Sequence, residues 1–163
     1  MLTDILYDRS KALEYAERWA FFRNPKYYNF DPLGGDCTNF ISQCVFAGSG
    51  VMNYTRIFGW YFIKLTHRAP AWSGVEFLYK FLVNNTGEGP YAKESGLEDM
   101  RIGDIIQLGN AKSHYYHSLF VCGFDNGEIL ISTHTLDRFA YPLSNYYYQN
   151  IRYLHIEGVR KRV

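Results

Sequence analysis

The sequence has few cysteines, no excess of one charge and no long apolar run, and each absence excludes a class of protein. Three cysteines do not make a disulfide framework, and Cys37 and Cys44 would lie about 10 Å apart along a helix, too far to bridge. A net charge of +1 gives no electrostatic footprint for nucleic acid. The basic stretch 160–162 is therefore expected to be a solvated tail. No run reaches the length of a transmembrane helix.

The N terminus lacks the charged and apolar regions of a secretory signal. We expect a monomer without membrane or nucleic-acid partners, either cytoplasmic or exported by another route or as part of a larger protein. No pattern resembles a zinc ribbon, so we expect no metal and no cofactor. The length of 163 residues fits a single domain over 1–163.

Helical patterns fill the first half of the chain and strand patterns the second half. Three segments have the apolar spacing of helices: residues 8–20, 37–47 and 73–83. Ser73 and Glu76 have the spacing of a capping box for the third helix. Residues 51–72 show no regular pattern. Four segments have the composition and turn signals of strands: residues 104–108, 116–124, 128–133 and 150–156. Helices first and strands after indicate an α+β domain with an antiparallel sheet.

The most informative stretch is Gly34-Gly35-Asp36-Cys37-Thr38-Asn39-Phe40-Ile41-Ser42-Gln43-Cys44. Asp36 is a favourable N-cap residue, so Cys37 is expected in the first turn of a helix. The helix dipole and the free backbone N–H groups there favour a thiolate. Cys37 is therefore a candidate nucleophile.

A histidine base would have to come from elsewhere in the chain. His117 opens one predicted strand, and His134 ends the next after an Asp125-Asn126-Gly127 hairpin signal. Antiparallel pairing is expected to bring the two histidines side by side. Cysteine, then histidine, then a polar group that orients the histidine is the chain order of papain-like enzymes.

These residues carry a family resemblance. The chain resembles the bacterial putative amidase domain family, a branch of the papain-like superfamily that also holds NlpC-type peptidases and CHAP amidases. The likeness covers roughly residues 5–157. The matching pieces are Tyr7-Asp8-Arg9 with Ala12, Tyr15 and Ala16, Gly35 to Cys44, Gly59-Trp60-Tyr61, Ser73, Gly103-Asp104-Ile105-Ile106, His117-Ser118 and His134-Thr135.

The resemblance implies a papain-like or NlpC-like fold, with N-terminal helices and a nucleophile helix packed on an antiparallel sheet. Cys37 matches the nucleophile and His117 the base. His134 matches the third, orienting position, for which Asp137 is a competitor. Gly103 and Asp104 match a structural pair to which we assign no chemistry.

The expected reaction is attack of the Cys37 thiolate on an amide carbonyl. The backbone N–H of Cys37 and one further donor would hold the oxyanion. In NlpC-type relatives a tyrosine ahead of the cysteine contributes near the site, and Tyr27 and Tyr28 are the candidates here. Asp36 is a further candidate for this region. Trp60, with Trp72, either lines a substrate groove or only packs a loop against the sheet.

The resemblance implies peptidoglycan as substrate, cut in the stem peptide or at the amide that joins the peptide to muramic acid. A protein- or peptide-directed peptidase or deamidase is the second enzymatic hypothesis. An inactive module that binds glycan or peptide, and acyl transfer in place of hydrolysis, are two further ones. Zinc binding by His114, His117 and His134 is disfavoured, because an i, i+3 pair on a strand points to opposite faces.

Overall fold

The computed structural model describes residues 1–163 as a mixed α+β protein built on one large antiparallel sheet. The sheet runs in the order β1-β9-β5-β6-β7-β8, with β4 also paired to β9, and β2 and β3 form a separate hairpin. The strands are β1 Leu2–Ile5, β2 Phe62–Lys64, β3 His67–Arg68, β4 Gly89–Ser95, β5 Ile105–Gly109, β6 Tyr115–Asp125, β7 Glu128–Thr133, β8 Arg138–Pro142 and β9 Asn150–Arg162.

Four α-helices accompany the sheet: α1 Arg9–Trp19, α2 Cys37–Ser49, α3 Pro70–Ser73 and α4 Val75–Asn84. Short 3-10 turns lie at Leu97–Asp99 and Leu143–Asn145. None of the helices combines the length and the apolar character needed to cross a membrane. The expected α+β class and antiparallel sheet are confirmed.

Helix α2 is the centre of the core. Phe40, Ile41, Cys44 and Val45 have no exposed surface, and nearly every other residue of the helix is buried as well. The helix ends at Gly50, whose positive φ of 67° gives the left-handed conformation that glycine adopts without steric cost. A helix buried on all sides holds its first residue in a fixed place relative to the sheet.

Side chains alternate along the central strands and divide the core into two layers. Phe120 of β6 packs with the helices in the larger apolar cluster. Its neighbours Leu119 and Val121 lie on the other face, in a smaller cluster with Leu143. The two faces of β6 therefore meet different parts of the molecule.

The Gly103-Asp104 pair ties the N-terminal segment to the sheet. The Tyr7 hydroxyl donates to the Gly103 carbonyl at 2.9 Å, and Arg9 pairs with the buried carboxylate of Asp104 at 2.9 Å. The same carboxylate accepts the backbone N–H of Ile156 and lies 2.8 Å from His155 Nδ1. All of these contacts are made to other residues of the protein, so the role of the Gly103-Asp104 pair is structural.

The predicted capping box is wrong, because Gly74 rather than Ser73 precedes the first residue of α4. The Ser73 hydroxyl instead accepts from Arg68. Glu76 pairs with Arg152 of β9 at 2.9 Å. The Glu76 carboxylate therefore forms an ion pair with a residue far away in the sequence instead of capping α4.

Candidate active site

Cys37 is the first residue of α2 and lies against β6. Its Sγ is 3.8 Å from Thr38 Oγ1, and that hydroxyl is 2.9 Å from Ser118 Oγ. Gln107 of β5 also donates to the Ser118 hydroxyl, at 3.1 Å. This buried polar chain ties the start of the helix to the middle of the sheet beside the thiol.

Burial controls the protonation of the Cys37 thiol. Desolvation raises its pKa, and the nearby negative charge of Asp36 acts in the same direction. Hydrogen bonds from the Ser118 backbone, and from the side chain and backbone of Thr38, lower the pKa without cancelling the effect of burial. Burial therefore opposes the expected thiolate and favours the neutral thiol in the unliganded protein.

The N-terminal end of α2 has free backbone donors. Asp36 makes no capping bond with its side chain, and the first intrahelical bond runs from Phe40 N–H to Asp36 C=O at 3.0 Å. The backbone N–H of Cys37 has no acceptor in the protein. It is therefore available to a negatively charged oxygen next to the thiol.

His117 stands next to Ser118, the residue whose backbone bonds to Cys37. Burial lowers the pKa of His117 to about 4, so its imidazole is neutral at physiological pH. The ring contacts that of Tyr146, with ring centroids 5.9 Å apart. The ring nitrogens of His117 are not among the buried polar atoms that lack a hydrogen-bond partner. The region around the start of β6 thus holds a neutral thiol, Cys37, and a neutral base, His117, with no hydrogen bond between them.

His134 lies on the helix side of the sheet and is buried. Its ring stacks on Phe40 with centroids 4.0 Å apart. Its Nδ1 lies 2.5 Å from Asp36 Oδ2, and its Nε2 lies 2.8 Å from the backbone oxygen of Trp19. Both ring nitrogens are therefore engaged, and neither is left to orient His117. The orienting role expected for His134 is corrected to an anchoring one at Asp36.

The turn after His134 also contacts Asp36. Thr135 Oγ1 accepts the backbone N–H of Asp36 at 3.3 Å. Asp137 pairs with Arg23 at 2.9 Å, and Arg23 Nε lies 3.6 Å from Asp36 Oδ2. Asp137, the alternative for the orienting position, is therefore also engaged away from His117.

Asp36 itself is sealed inside the protein. It has no exposed surface, and its Oδ1 accepts from Phe30 N–H at 2.8 Å and from the Asn39 amide at 2.9 Å. Asp36 therefore anchors the start of α2 and has no surface exposed to a substrate.

The aromatic candidates pack inside the protein. Trp60 and Trp72 are fully buried, and their indole N–H groups donate to Ser42 and Asn39 at 3.0 Å. The interpretation of Trp60 as a groove residue is wrong, because its ring fills the core.

Tyr27 and Tyr28 are partly buried. The Tyr27 ring stacks on Trp72 at 5.7 Å, and the Tyr28 ring packs edge-on against Phe30 at 5.0 Å. Burial raises the pKa of Tyr27. Neither hydroxyl makes a hydrogen bond that directs it toward Cys37.

Comparison with known proteins identifies the family of this chain. A family described as a putative amidase domain matches residues 6–156, nearly the whole chain. The chain belongs to this putative amidase domain family. It is also similar to the uncharacterized protein YhbB of Bacillus subtilis (strain 168), with 31% identity over 155 residues. That match covers 90% of this chain and 49% of YhbB, so the chain spans about half the length of its relative.

No solved structure matches the chain. The family description indicates amide hydrolysis, a reaction on a C–N bond. The arrangement in this amidase domain can supply a thiol, a neutral imidazole on the strand that contacts the same helix, and a free backbone donor at the helix N terminus. Those are the groups that acyl transfer through a covalent intermediate requires.

Sequence reasoning missed three contributors to this region of the amidase domain. Ser118 bonds to the thiol through its backbone, Thr135 holds Asp36, and Tyr146 contacts the imidazole of His117. Ser118 and Thr135 directly follow the two predicted histidines, so adjacency was an available signal. Tyr146 lies in a run of three tyrosines, and no spacing rule distinguishes it from its neighbours.

Three surface cavities of the amidase domain lie away from the thiol. Their volumes are about 600, 380 and 680 Å³, and none is lined by Cys37 or His117. Cys37 retains 8% exposure. No three His, Cys, Asp or Glu side chains gather closely enough to hold a metal ion.

Proposed function

We propose that this protein is a papain-like cysteine amidase that cleaves an amide bond of peptidoglycan, in the stem peptide or between the peptide and muramic acid. Cys37 is the nucleophile and His117 the general base. The observation that carries the proposal is the placement of Cys37 at the N terminus of a buried helix, linked through the Thr38 and Ser118 hydroxyls to the strand that holds His117.

The protonation states set the order of the steps. Because the thiol and the imidazole are both neutral, His117 takes the Cys37 proton as Sγ approaches the carbonyl carbon. The new S–C bond pushes the carbonyl electrons onto oxygen, where the Cys37 backbone N–H donates to the oxyanion. Collapse of this intermediate breaks the C–N bond, and His117 gives its proton to the leaving amine. Water then hydrolyses the thioester.

His134 supports this site from a distance. Its bond to Asp36 fixes the residue that immediately precedes the nucleophile. Replacement of His134 would therefore act through the position of α2, and not through the tautomer of His117.

Two variants test the proposal on purified peptidoglycan, with products identified by mass spectrometry. We expect Cys37→Ala to abolish product release and to keep the fold. The matched control is Cys122→Ala, which removes a buried thiol of β6 that donates to the Leu130 carbonyl, and it should stay active. The product masses identify which amide is cut.

Three outcomes would contradict the proposal in different ways. Equal activity of wild type and Cys37→Ala would exclude a cysteine mechanism. No cleavage of peptidoglycan, together with cleavage or deamidation of peptides, would replace the substrate class and keep the mechanism. A Cys37 that never forms a covalent adduct would favour an inactive binding module.

A further inference from the structure

A continuous series of buried hydrogen bonds links the Cys37 sulfur to a charged side chain on a distant strand. Cys37 Sγ lies 3.8 Å from Thr38 Oγ1, which lies 2.9 Å from Ser118 Oγ of β6. Gln107 of β5 donates to Ser118 Oγ at 3.1 Å, and its own Oε1 accepts from Arg152 of β9 at 2.7 and 2.9 Å. We call these five residues the thiol network. All of them are buried, so their hydrogens have to be placed among protein atoms.

The charged end of the thiol network determines how Gln107 is oriented. A guanidinium group can only donate hydrogen bonds, so Gln107 must turn its Oε1 toward Arg152 and its amide nitrogen away. The two amide hydrogens then serve the Ser118 hydroxyl and the Val75 carbonyl, at 3.1 and 3.0 Å. Ser118 Oγ is therefore an acceptor from Gln107.

The hydroxyl hydrogens follow from that orientation. The Ser118 hydroxyl bonds only to Gln107 and Thr38, so its hydrogen points to Thr38 Oγ1. The Thr38 hydroxyl bonds only to Ser118 and to the Cys37 sulfur, so its hydrogen points to Sγ. Every donor in the thiol network thus points toward the sulfur, and hydrogen bonds aligned in this way polarise one another.

The guanidinium of Arg152 is held firmly in place. It lies between the rings of Tyr79 and Tyr115, at 3.6 and 3.8 Å from their centroids. It also pairs with Glu76 of α4 at 2.9 Å. Because arginine stays protonated in proteins, the direction of the thiol network does not change with pH.

We infer that the Thr38 hydroxyl stabilises negative charge on Cys37 Sγ, and that the three residues behind it act by aiming that hydroxyl. This inference rests on the nucleophilic role of Cys37 in the proposed function. When His117 takes the thiol proton, the S–H electron pair stays on sulfur. Thr38 then donates a hydrogen bond to the sulfur and keeps its own proton. The same bond already lowers the pKa of Cys37, against the larger effect of burial.

Three titratable residues outside the thiol network bear on the charge of Cys37. The negative charge of Asp36 raises the pKa of Cys37, and a charge on Cys37 raises that of Tyr146. His117 of β6 is the proposed proton acceptor. The side chains of these three residues make no hydrogen bond to the thiol network. Substitutions within the network therefore leave their bonds in place.

Thr38→Val removes the hydroxyl and keeps the shape of the side chain. The measurement is the rate of Cys37 alkylation by iodoacetamide, followed by peptide mass spectrometry from neutral pH to the alkaline plateau. We expect the profile to move up by about one pH unit, which makes alkylation about tenfold slower below the plateau. Thr38→Ser, which keeps the hydroxyl, should restore the wild-type profile. Ser132→Ala is the matched control, since this buried hydroxyl of β7 donates to the Arg138 carbonyl, and it should shift nothing.

Gln107→Glu tests the direction of the thiol network. The new carboxylate still accepts from Arg152 but cannot donate, so Ser118 has to donate to it. Thr38 then donates to Ser118 and no longer to the sulfur. We expect an upward shift of the profile in this variant, and little further shift when it is combined with Thr38→Val, because the hydroxyl through which it acts is gone. Urea unfolding checks that each variant is folded.

The failures of the two proposals are distinguishable. An unshifted profile in Thr38→Val, with wild type active on peptidoglycan, would overturn the role of Thr38 alone. Additive shifts of Thr38→Val and Gln107→Glu would overturn the thiol network, because the new charge would then act on the thiol directly. A rate lowered equally at every pH, plateau included, would show altered access and would overturn it as well. The expected shifts in a protein that cuts no amide would support the thiol network and overturn the proposed function.

Discussion

Asp36 and His134 lie 98 residues apart in the chain, and their side chains meet with Oδ2 and Nδ1 separated by 2.5 Å. Both groups are buried, and the other imidazole nitrogen bonds to the Trp19 carbonyl. A carbonyl oxygen can only accept, so Nε2 carries a hydrogen. This bond holds the residue before Cys37 against the sheet, which makes it a determinant of where the thiol stands.

We predict that His134→Ala lowers the free energy of unfolding by about 1–3 kcal/mol, the usual cost of leaving a buried hydrogen-bonding group without its partner. The carboxylate of Asp36 and the Trp19 carbonyl would both lose their partner. Urea unfolding monitored by tryptophan fluorescence measures the change. An unaltered stability with abolished activity would instead restore a direct catalytic role for His134.

Alkylation of Cys37 should follow the protonation of a buried thiol. Because burial raises its pKa above the ordinary value of 9.0, we expect the rate with iodoacetamide to rise steeply only in alkaline solution. Peptide mass spectrometry at a series of pH values gives the profile for Cys37. A plateau that persists below neutral pH would show a preformed thiolate, and burial would then not be the controlling factor.

The pKa of His117 predicts a loss of stability in acid. Its value is about 4 in the folded protein and about 6.5 when unfolded, so the unfolded state binds more protons between these limits. Its contribution to stability is therefore complete above pH 6.5 and is lost as the pH falls toward 4, by up to about 3 kcal/mol.

His117→Asn should flatten this part of the stability profile, measured by urea unfolding between pH 4 and 7. The exposed His114 provides His114→Asn as the control for losing an imidazole. The imidazole resonances of His117 should titrate near pH 4 in the wild-type protein. A titration of His117 near pH 6.5 would contradict the burial argument.

The turn between β7 and β8 stores backbone strain. Thr135 and Leu136 have φ values of 67° and 59°, as in a type I′ turn, where Asn-Gly is preferred. Leu136 is 77% exposed, so its side chain contributes little packing. We predict that Leu136→Gly stabilises the protein by about 1 kcal/mol, because glycine relieves the strain of a left-handed residue.

The urea midpoint measures this gain. Leu6→Gly is the control: Leu6 is 90% exposed and has no positive φ, so glycine there should bring no gain. Equal effects of the two substitutions would mean that the turn is not strained.

The parts of the fold that follow from local pattern were predictable. The strand over 128–133 agrees with β7 residue for residue, and the helix that starts at Cys37 agrees at its first residue. The strands β1, β2, β3, β4 and β8 were missed. β1 has only four residues, and β4 contains Gly89 and Pro90, which are poor strand formers.

The part of the site that depends on register was not predictable. Counting on from the Phe120–Ser132 pair places His134 level with Ser118, whose hydroxyl bonds to Thr38 of α2. His134 therefore faces the helices, where its ring stacks on Phe40, whereas the ring of His117 contacts Tyr146. Since side chains alternate along a strand, a shift of one residue separates two histidines that sequence spacing would pair.

The anchoring of Asp36 by His134 and Thr135 has a consequence for folding. Contacts between residues about 100 positions apart form only after much of the intervening chain is ordered. A nascent or partly folded chain therefore contains Cys37 without the surroundings that bury it. The thiol should be alkylated readily in such a chain at neutral pH and become protected when β7 and β8 dock, which makes Cys37 a chemical reporter of the last stage of folding.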